Sequence, residues 1–148
     1  MKLLDSCGWL EVLAATPLGE AYRPAFTQLD ELVVPTVCVL EVAQHLLEVA
    51  GDAAATAAVA MMSRARVAPL SLAFALEAAR LGEACRLPFP DNVVLATALR
   101  HGVELWTHDE HFRGLRGNIH FVEVDAFTSP ARTAAETAAT LRGQTAAR

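Results

Sequence analysis

The sequence predicts an α/β domain of three layers, with a central, mainly parallel sheet covered by helices on both faces. Three observations carry that prediction. Short apolar runs, several of them β-branched, alternate with longer helical patterns along the chain. The short runs are nearly continuous in apolar residues, as strands buried on both faces are. A length of 148 residues suits one domain, which at this size buries about two-thirds of its unfolded surface and needs no disulfide or metal staple.

The elements follow in order. Residues 2–5 (KLLD) form the first strand, and Ser6 offers an N-cap for a helix carrying Trp9, Leu10, Val12 and Leu13. Pro17 restarts the chain, and Leu18 to Leu29 read as a second helix. Residues 31–35 (ELVVP) make the second strand. Thr36 caps a helix from Val37 to about Ala50, stopped by Gly51, and Asp52 caps an alanine-rich helix to about Arg64. Residues 66–70 (RVAPL) are a weak third strand. Ser71 caps a helix running to about Cys85. After LPFP, a helix from Asp91 to His101 ends at Gly102. VELW (103–106) is the fourth strand, with Thr107, His108 and Asp109 beyond its carboxyl end. IHFVEV (119–124) is the last strand. From Ser129 onward large apolar residues nearly vanish, so 1–128 is expected to be the domain and 129–148 a flexible C-terminal tail, dispensable for catalysis, with an RNA tether through Arg132, Arg142 and Arg148 as the alternative.

Composition narrows the function. Hydrophobic residues at 53% and charged residues at 20% exclude wholesale disorder. A formal net charge of −5 excludes a generally basic, nucleic-acid-coating surface and leaves room for a local basic patch. No apolar run is long enough to span a membrane. Asp5 and Glu11 interrupt the apolar N-terminus, which argues against a signal peptide. Cys7, Cys38 and Cys85 are odd in number and widely spaced, as reduced thiols in a cytoplasmic protein are.

Four acids stand out. Asp5 and Asp109 lie at strand ends, where parallel α/β sheets collect functional groups. Glu41 interrupts the apolar stretch VCVLEVA, and Asp91 opens a helix on the side of Val94 and Leu95. Each has a plain structural reading: Asp5 and Asp109 as N-caps, Asp91 as a complement to the helix dipole, Glu41 on a solvated stripe with His45 and Glu48. Together they say more. Two acids at strand ends and two near helix starts can converge on one rim of the sheet. Four close carboxylates repel unless a cation neutralises them. Oxygen donors select Mg²⁺ or Mn²⁺, and such a cation suits attack of water on a phosphodiester.

The motifs LLDSCGWLE, VVPTVCVLEVAQHLL, LPFPDNVVLATALRHGVELWTHDEHF and NIHFVEV, in this order over residues 2 to about 124, resemble the PIN-domain ribonucleases, and within them the VapC-type toxins of bacterial toxin–antitoxin systems. The resemblance implies a PIN-like fold and a metal-dependent endoribonuclease acting on structured cellular RNA. It carries the acidic set onto Asp5, Glu41, Asp91 and Asp109 as catalytic and metal-holding residues, with Thr107 and Ser6 as supporting hydroxyls. It further implies Mg²⁺ (or Mn²⁺), a homodimer, and a small cognate antitoxin laid across a hydrophobic groove. Asn92, His108 and His111 depart from the family's usual pattern, and the chain after about Phe127 lies outside the resemblance.

Two rival readings stay open: a catalytically silent PIN-like interaction module, and a zinc hydrolase using His108 and His111. Trp106 is expected in the core, whereas Trp9 is either core or a platform for RNA bases. Arg64, Arg80, Arg86, Arg100, Arg113 and Arg116 are candidate phosphate contacts or solvated helix faces. The helices between Leu18 and Arg64, above all the run Ala53–Met62, carry more apolar surface than one domain comfortably buries, which also favours a dimer.

Overall fold

A computed structural model describes residues 1–126; the expected tail, 129–148, lies outside the described residues. The elements are β1 (Lys2–Leu4), α1 (Ser6–Leu13), α2 (Pro17–Ala21), β2 (Leu32–Pro35), α3 (Thr36–Val49), α4 (Asp52–Met62), β3 (Arg66–Ala68), α5 (Leu72–Cys85), α6 (Asp91–His101), β4 (Glu104–Thr107) and β5 (Ile119–Phe121). Single 3₁₀ turns lie at Leu29–Glu31, Glu110–Phe112 and Val124–Ala126. The five strands form one sheet in the order β3-β2-β1-β4-β5, and every pairing is parallel.

This order decides where the site must be. The chain lays β2 and β3 on one side of β1, then crosses to place β4 and β5 on the other. The two crossovers leave the sheet on opposite sides at the β1/β4 boundary, which opens a crevice beyond the carboxyl ends of those two strands. Asp5 is the first residue past β1, and Thr107 is the last of β4.

The strands are short and apolar because helices cover both faces. Leu3, Leu4, Leu32, Val33, Val34 and Leu105 have no solvent exposure. Trp9 is also fully buried, edge-on to Phe26 with ring centroids 5.1 Å apart, so it is core rather than an RNA platform. Trp106 is core as expected, at 6% exposure, stacked on His120 at 3.8 Å. Among the described residues no helix is long and apolar enough to cross a membrane.

Several boundaries differ from the sequence expectation for identifiable reasons. The second helix ends at Ala21, not Leu29. Pro24 offers no N–H to continue the helical ladder, so the helix stops after five residues and the chain goes on in separate turns through Ala25. Asp5, not Ser6, caps α1, its carboxylate accepting the Ser6 N–H. Pro35 and Gly51 occupy the cap positions of α3 and α4, which makes Thr36 and Asp52 the first helical residues. The Thr36 hydroxyl oxygen instead accepts the Leu70 N–H. Ser71 caps α5 as expected, accepting from the Phe74 N–H. The last strand stops at Phe121 and passes into a 3₁₀ turn.

Gly19 brings α2 into contact with the end of α1. A Cβ on Gly19 would sit 2.4 Å from the Glu11 carbonyl oxygen, a backbone atom that cannot rotate away. Gly19→Ala is therefore expected to cost about 1–3 kcal/mol, the usual range for overpacking, read as a fall of several degrees in the thermal midpoint. An unchanged midpoint would mean that the two helices do not approach this closely.

The helices facing away from the sheet leave apolar side chains in solvent. Leu40 and Leu47 on α3 and Val59 and Met61 on α4 are exposed, while Ala55, Ala58 and Met62 on α4 are buried. Of the ten residues of the run Ala53–Met62 expected to be in excess, the domain itself buries only Ala55, Ala58 and Met62.

Candidate active site

Asp5 is held at the point where β1 becomes α1. Its N–H donates to the Trp106 carbonyl at 3.0 Å, extending the pairing with β4 by one residue. Its carboxylate accepts the Ser6 N–H at 2.8 Å and the Thr107 hydroxyl at 2.8 Å. The residue is only 3% exposed and Thr107 is fully buried. The Thr107 oxygen accepts the Asp109 N–H at 3.0 Å, and Asp109 Oδ1 accepts the His111 N–H at 2.9 Å. One run of hydrogen bonds therefore ties Asp5 to Asp109 across the β1/β4 crevice. The capping reading of Asp5 and Asp109 is correct, and it does not compete with a site role, because capping is what fixes the two carboxylates in place.

Asp91 begins α6 and is 6% exposed. Its Oδ2 is buried and has no hydrogen-bond partner. His111 Nδ1 lies 2.8 Å from that oxygen and 3.1 Å from Asp109 Oδ1. The first approach has an ion pair's distance but lacks hydrogen-bond alignment, so Asp91 Oδ2 is left unsatisfied. A buried acceptor in this state is costly and calls for an explanation.

Glu41 comes from the second turn of α3 and is half-buried. Ligand atoms of Asp5, Cys38 and Glu41 lie within 4.8 Å of one another, as do those of Asp91, Asp109 and His111. The two groups are linked through Thr107, whose hydroxyl donates to Asp5 and accepts from the Asp109 N–H. Burial raises the Glu41 pKa to about 7, with the Asp5 charge the next cause, the Ser6 side chain opposing, and Asp91 and Asp109 adding to the rise. Burial raises Asp5 as well, against the hydrogen bonds from Thr107 and Ser6, with Asp91 and Asp109 pushing the same way as burial. Asp91 is raised by burial and then by Asp109, with His111 opposing. The structure thus brings all four predicted acids to one rim of the sheet, with Ser6 and Thr107 beside them.

Carboxyls whose ionised forms are disfavoured by burial and by one another are a cation's natural environment. The donors fit one. They are hard oxygens, which suit Mg²⁺ or Mn²⁺, and Asp91 Oδ2 is a buried acceptor whose one close neighbour, His111 Nδ1, is not aligned to donate to it. Cys38 contributes little here, because burial raises its thiol pKa well above the ordinary value and keeps it neutral.

Behind Asp5 lies a second network that the sequence did not reveal. Cys7 Sγ is 3.6 Å from Asp5 Oδ2, 3.6 Å from Thr107 Oγ1 and 4.0 Å from the Tyr22 hydroxyl, which is 2.7 Å from His108 Nδ1. Burial, then the Asp5 charge, pushes the Cys7 thiol up to about 12, and burial pulls His108 down. Both are neutral supports near neutral pH. His108 and His111 accordingly belong to different networks and do not converge on one ion. No sequence signal links Cys7, Tyr22 and His108, since the Tyr22–His108 contact spans 86 residues. Of the candidate phosphate-binding arginines, Arg113 is bound by Glu110 and Glu123, and Arg100 lies near Glu77.

Comparison with known proteins agrees with this architecture. A toxin–antitoxin complex from Klebsiella pneumoniae superimposes with a TM-score of 0.69 at 18% identity, covering 83% of this chain and 98% of that one. VapC20 of Mycobacterium tuberculosis, described as a sarcin–ricin loop cleaving toxin, gives a TM-score of 0.63 at 20% identity, covering 76% and 92%. No curated protein matches the sequence. The PIN domain matches residues 2–118, the span that holds the first four strands of the parallel sheet and all four acids, and the chain belongs to the PIN-domain family.

Proposed function

We propose that this chain is a metal-dependent endoribonuclease cleaving structured cellular RNA, the toxin of a type II toxin–antitoxin pair. One observation carries the reading: on a PIN fold, two clusters of possible metal ligands, Asp5 with Glu41 and Asp91 with Asp109, lie at one rim of the sheet, with burial raising the proton affinities of Asp5, Glu41 and Asp91. Two solved structures of the same fold support its direction, one titled a toxin–antitoxin complex and the other a toxin cleaving the sarcin–ricin loop.

In this reading Asp5, Glu41, Asp91 and Asp109 hold Mg²⁺ or Mn²⁺. When bound, the cation supplies Lewis acidity, lowering the pKa of water and offsetting charge on the scissile phosphate. The protein's own work is positioning. Ser6 N–H and the Thr107 hydroxyl fix both oxygens of Asp5. Thr107 holds the backbone of Asp109. A carboxylate of the cluster accepts the proton that the attacking water releases. The partners are an RNA substrate, a small antitoxin and a second copy of the chain, for which exposed Leu40, Leu47 and Phe89 offer apolar contacts. Catalysis resides in 1–128, in the cytoplasm.

The test is incubation of purified protein with ribosomal RNA in Mg²⁺ or Mn²⁺. Discrete fragments that vanish with chelator are expected, and a chain truncated after Thr128 should give the same fragments. A folded protein that cuts no structured RNA with any divalent cation would overturn the reading and leave the silent interaction module.

A further inference from the structure

We propose that His111 is a nitrogen ligand of the cation held by Asp91 and Asp109, and that it makes this site prefer Mn²⁺ to Mg²⁺. The inference rests on the metal-dependent reading above and deepens it.

The argument begins with the spacing of three atoms. His111 Nδ1 lies 2.8 Å from Asp91 Oδ2 and 3.1 Å from Asp109 Oδ1. An octahedral ion with bonds of about 2.1 Å sets adjacent donors about 3.0 Å apart. The observed separations are those of neighbouring ligands around one ion. A hydrogen bond would account for a similar distance, and the imidazole does favour the Asp91 carboxylate, but their approach is poorly aligned for one and leaves the buried Oδ2 without a well-formed partner. That oxygen belongs to a carboxylate whose side chain is 9% exposed, so water does not readily compensate it. Nδ1 and Oδ2 approach one another without alignment, as two donors facing a shared third atom do.

The imidazole is also well placed to stay there. His111 sits in the 3₁₀ turn Glu110–Phe112, which Asp109 caps by accepting the His111 N–H. Phe112, next in the chain, is buried at 1% exposure and anchors the turn. The His111 side chain is 57% exposed, so Nε2 can keep its proton against solvent while Nδ1 offers a lone pair. His108 cannot take this role, because its Nδ1 is engaged by Tyr22.

The chemical consequence follows from ligand type. Carboxylates alone accept Mg²⁺ and Mn²⁺, whereas an imidazole nitrogen favours transition ions. Mixed oxygen and nitrogen donors therefore shift the preference toward Mn²⁺.

Binding of Mn²⁺ and of Mg²⁺ is measured by calorimetry on the full chain and on His111→Ala and Asp91→Asn, with circular dichroism to check folding. Pulsed electron paramagnetic resonance of bound Mn²⁺ reads directly coordinated nitrogen. The wild type should bind Mn²⁺ more tightly than Mg²⁺ and show a nitrogen coupling. His111→Ala should lose that coupling and on the order of tenfold in Mn²⁺ affinity, a loss that outer partners of a metal site already produce, with little change for Mg²⁺. Unchanged or tighter Mn²⁺ binding by His111→Ala, or no nitrogen coupling in the wild type, overturns the proposal and makes His111 a group the cation displaces. Asp91→Asn that binds Mn²⁺ as well as wild type would instead overturn the underlying reading of the acidic cluster.

Discussion

Asp91→Asn is expected to lower RNA cleavage by at least on the order of 10²-fold while raising the thermal midpoint of the chelated protein. The two effects have one cause. Asp91 is buried and its Oδ2 lacks a hydrogen-bond partner. Burial, then the charge of Asp109, opposes its ionisation. In the absence of a cation the folded state therefore carries an unfavourable charge that the unfolded chain does not, and an amide of the same shape removes it. For a domain of this size, each kcal/mol recovered raises the midpoint by about 2–4 °C. Activity moves the other way, because a cation's stabilisation of charge on a reacting phosphate is worth several kcal/mol, and each 1.36 kcal/mol is tenfold in rate. Asp91 suits the test better than Asp5, whose two oxygens accept from Ser6 and Thr107, so that Asp5→Asn disturbs the crevice as well as its charge. RNA cleavage in Mn²⁺ and a melt in chelator measure both effects. Full activity in a folded Asp91→Asn protein would remove Asp91 from the site.

The same residues explain why some of the molecule could be read from its sequence and some could not. Local physics writes itself plainly. Asp91–His101 was legible at both ends because Pro90 precedes it and Gly102, in the left-handed conformation at φ 61°, ends it. The four acids were legible because strand ends and helix starts lie on one rim in any parallel α/β sheet. What failed depended on competition between neighbours or on contacts far apart in the chain. Ser6 and Asp5 both cap helices well, and only the backbone bond from Asp5 to Trp106 decides which residue stays outside the helix. Pro24 outweighed the apolar periodicity of 18–29. The position of His111 between Asp91 and Asp109 has no signature in the local pattern, since the 3₁₀ turn that points it there is set by Asp109 capping its own neighbour.

In chelator, the protein is expected to lose stability as pH rises from about 4.5 through about 7, and in saturating Mn²⁺ it is expected not to. Glu41 supplies the window. Its ordinary pKa of 4.5 is raised to about 7 in the folded protein, first by burial and then by Asp5. An acid that binds its proton more tightly when folded favours the folded state while it is protonated there. That contribution is fully present below the unfolded value and is lost as pH climbs through the folded one. Asp5 and Asp91 are raised as well and reinforce the direction. Glu110, lowered by Arg113, has the opposite sign but acts below pH 4.5, whereas His108, lowered from 6.5 by burial, opposes the fall within the window, so the three raised carboxyls act against that one imidazole. A cation binds the ionised carboxylates, so its affinity, and with it the stability it adds to the folded state, grows over the same pH range. Thermal midpoints against pH, with chelator and with Mn²⁺, should therefore diverge as pH rises. Glu41→Gln should flatten the chelator curve, because the amide carries no charge to disfavour. A chelator curve that Glu41→Gln leaves unchanged between pH 5 and 7.5, or two curves that coincide, would mean that the carboxylates of the crevice do not share the electrostatic burden from which the metal site is inferred.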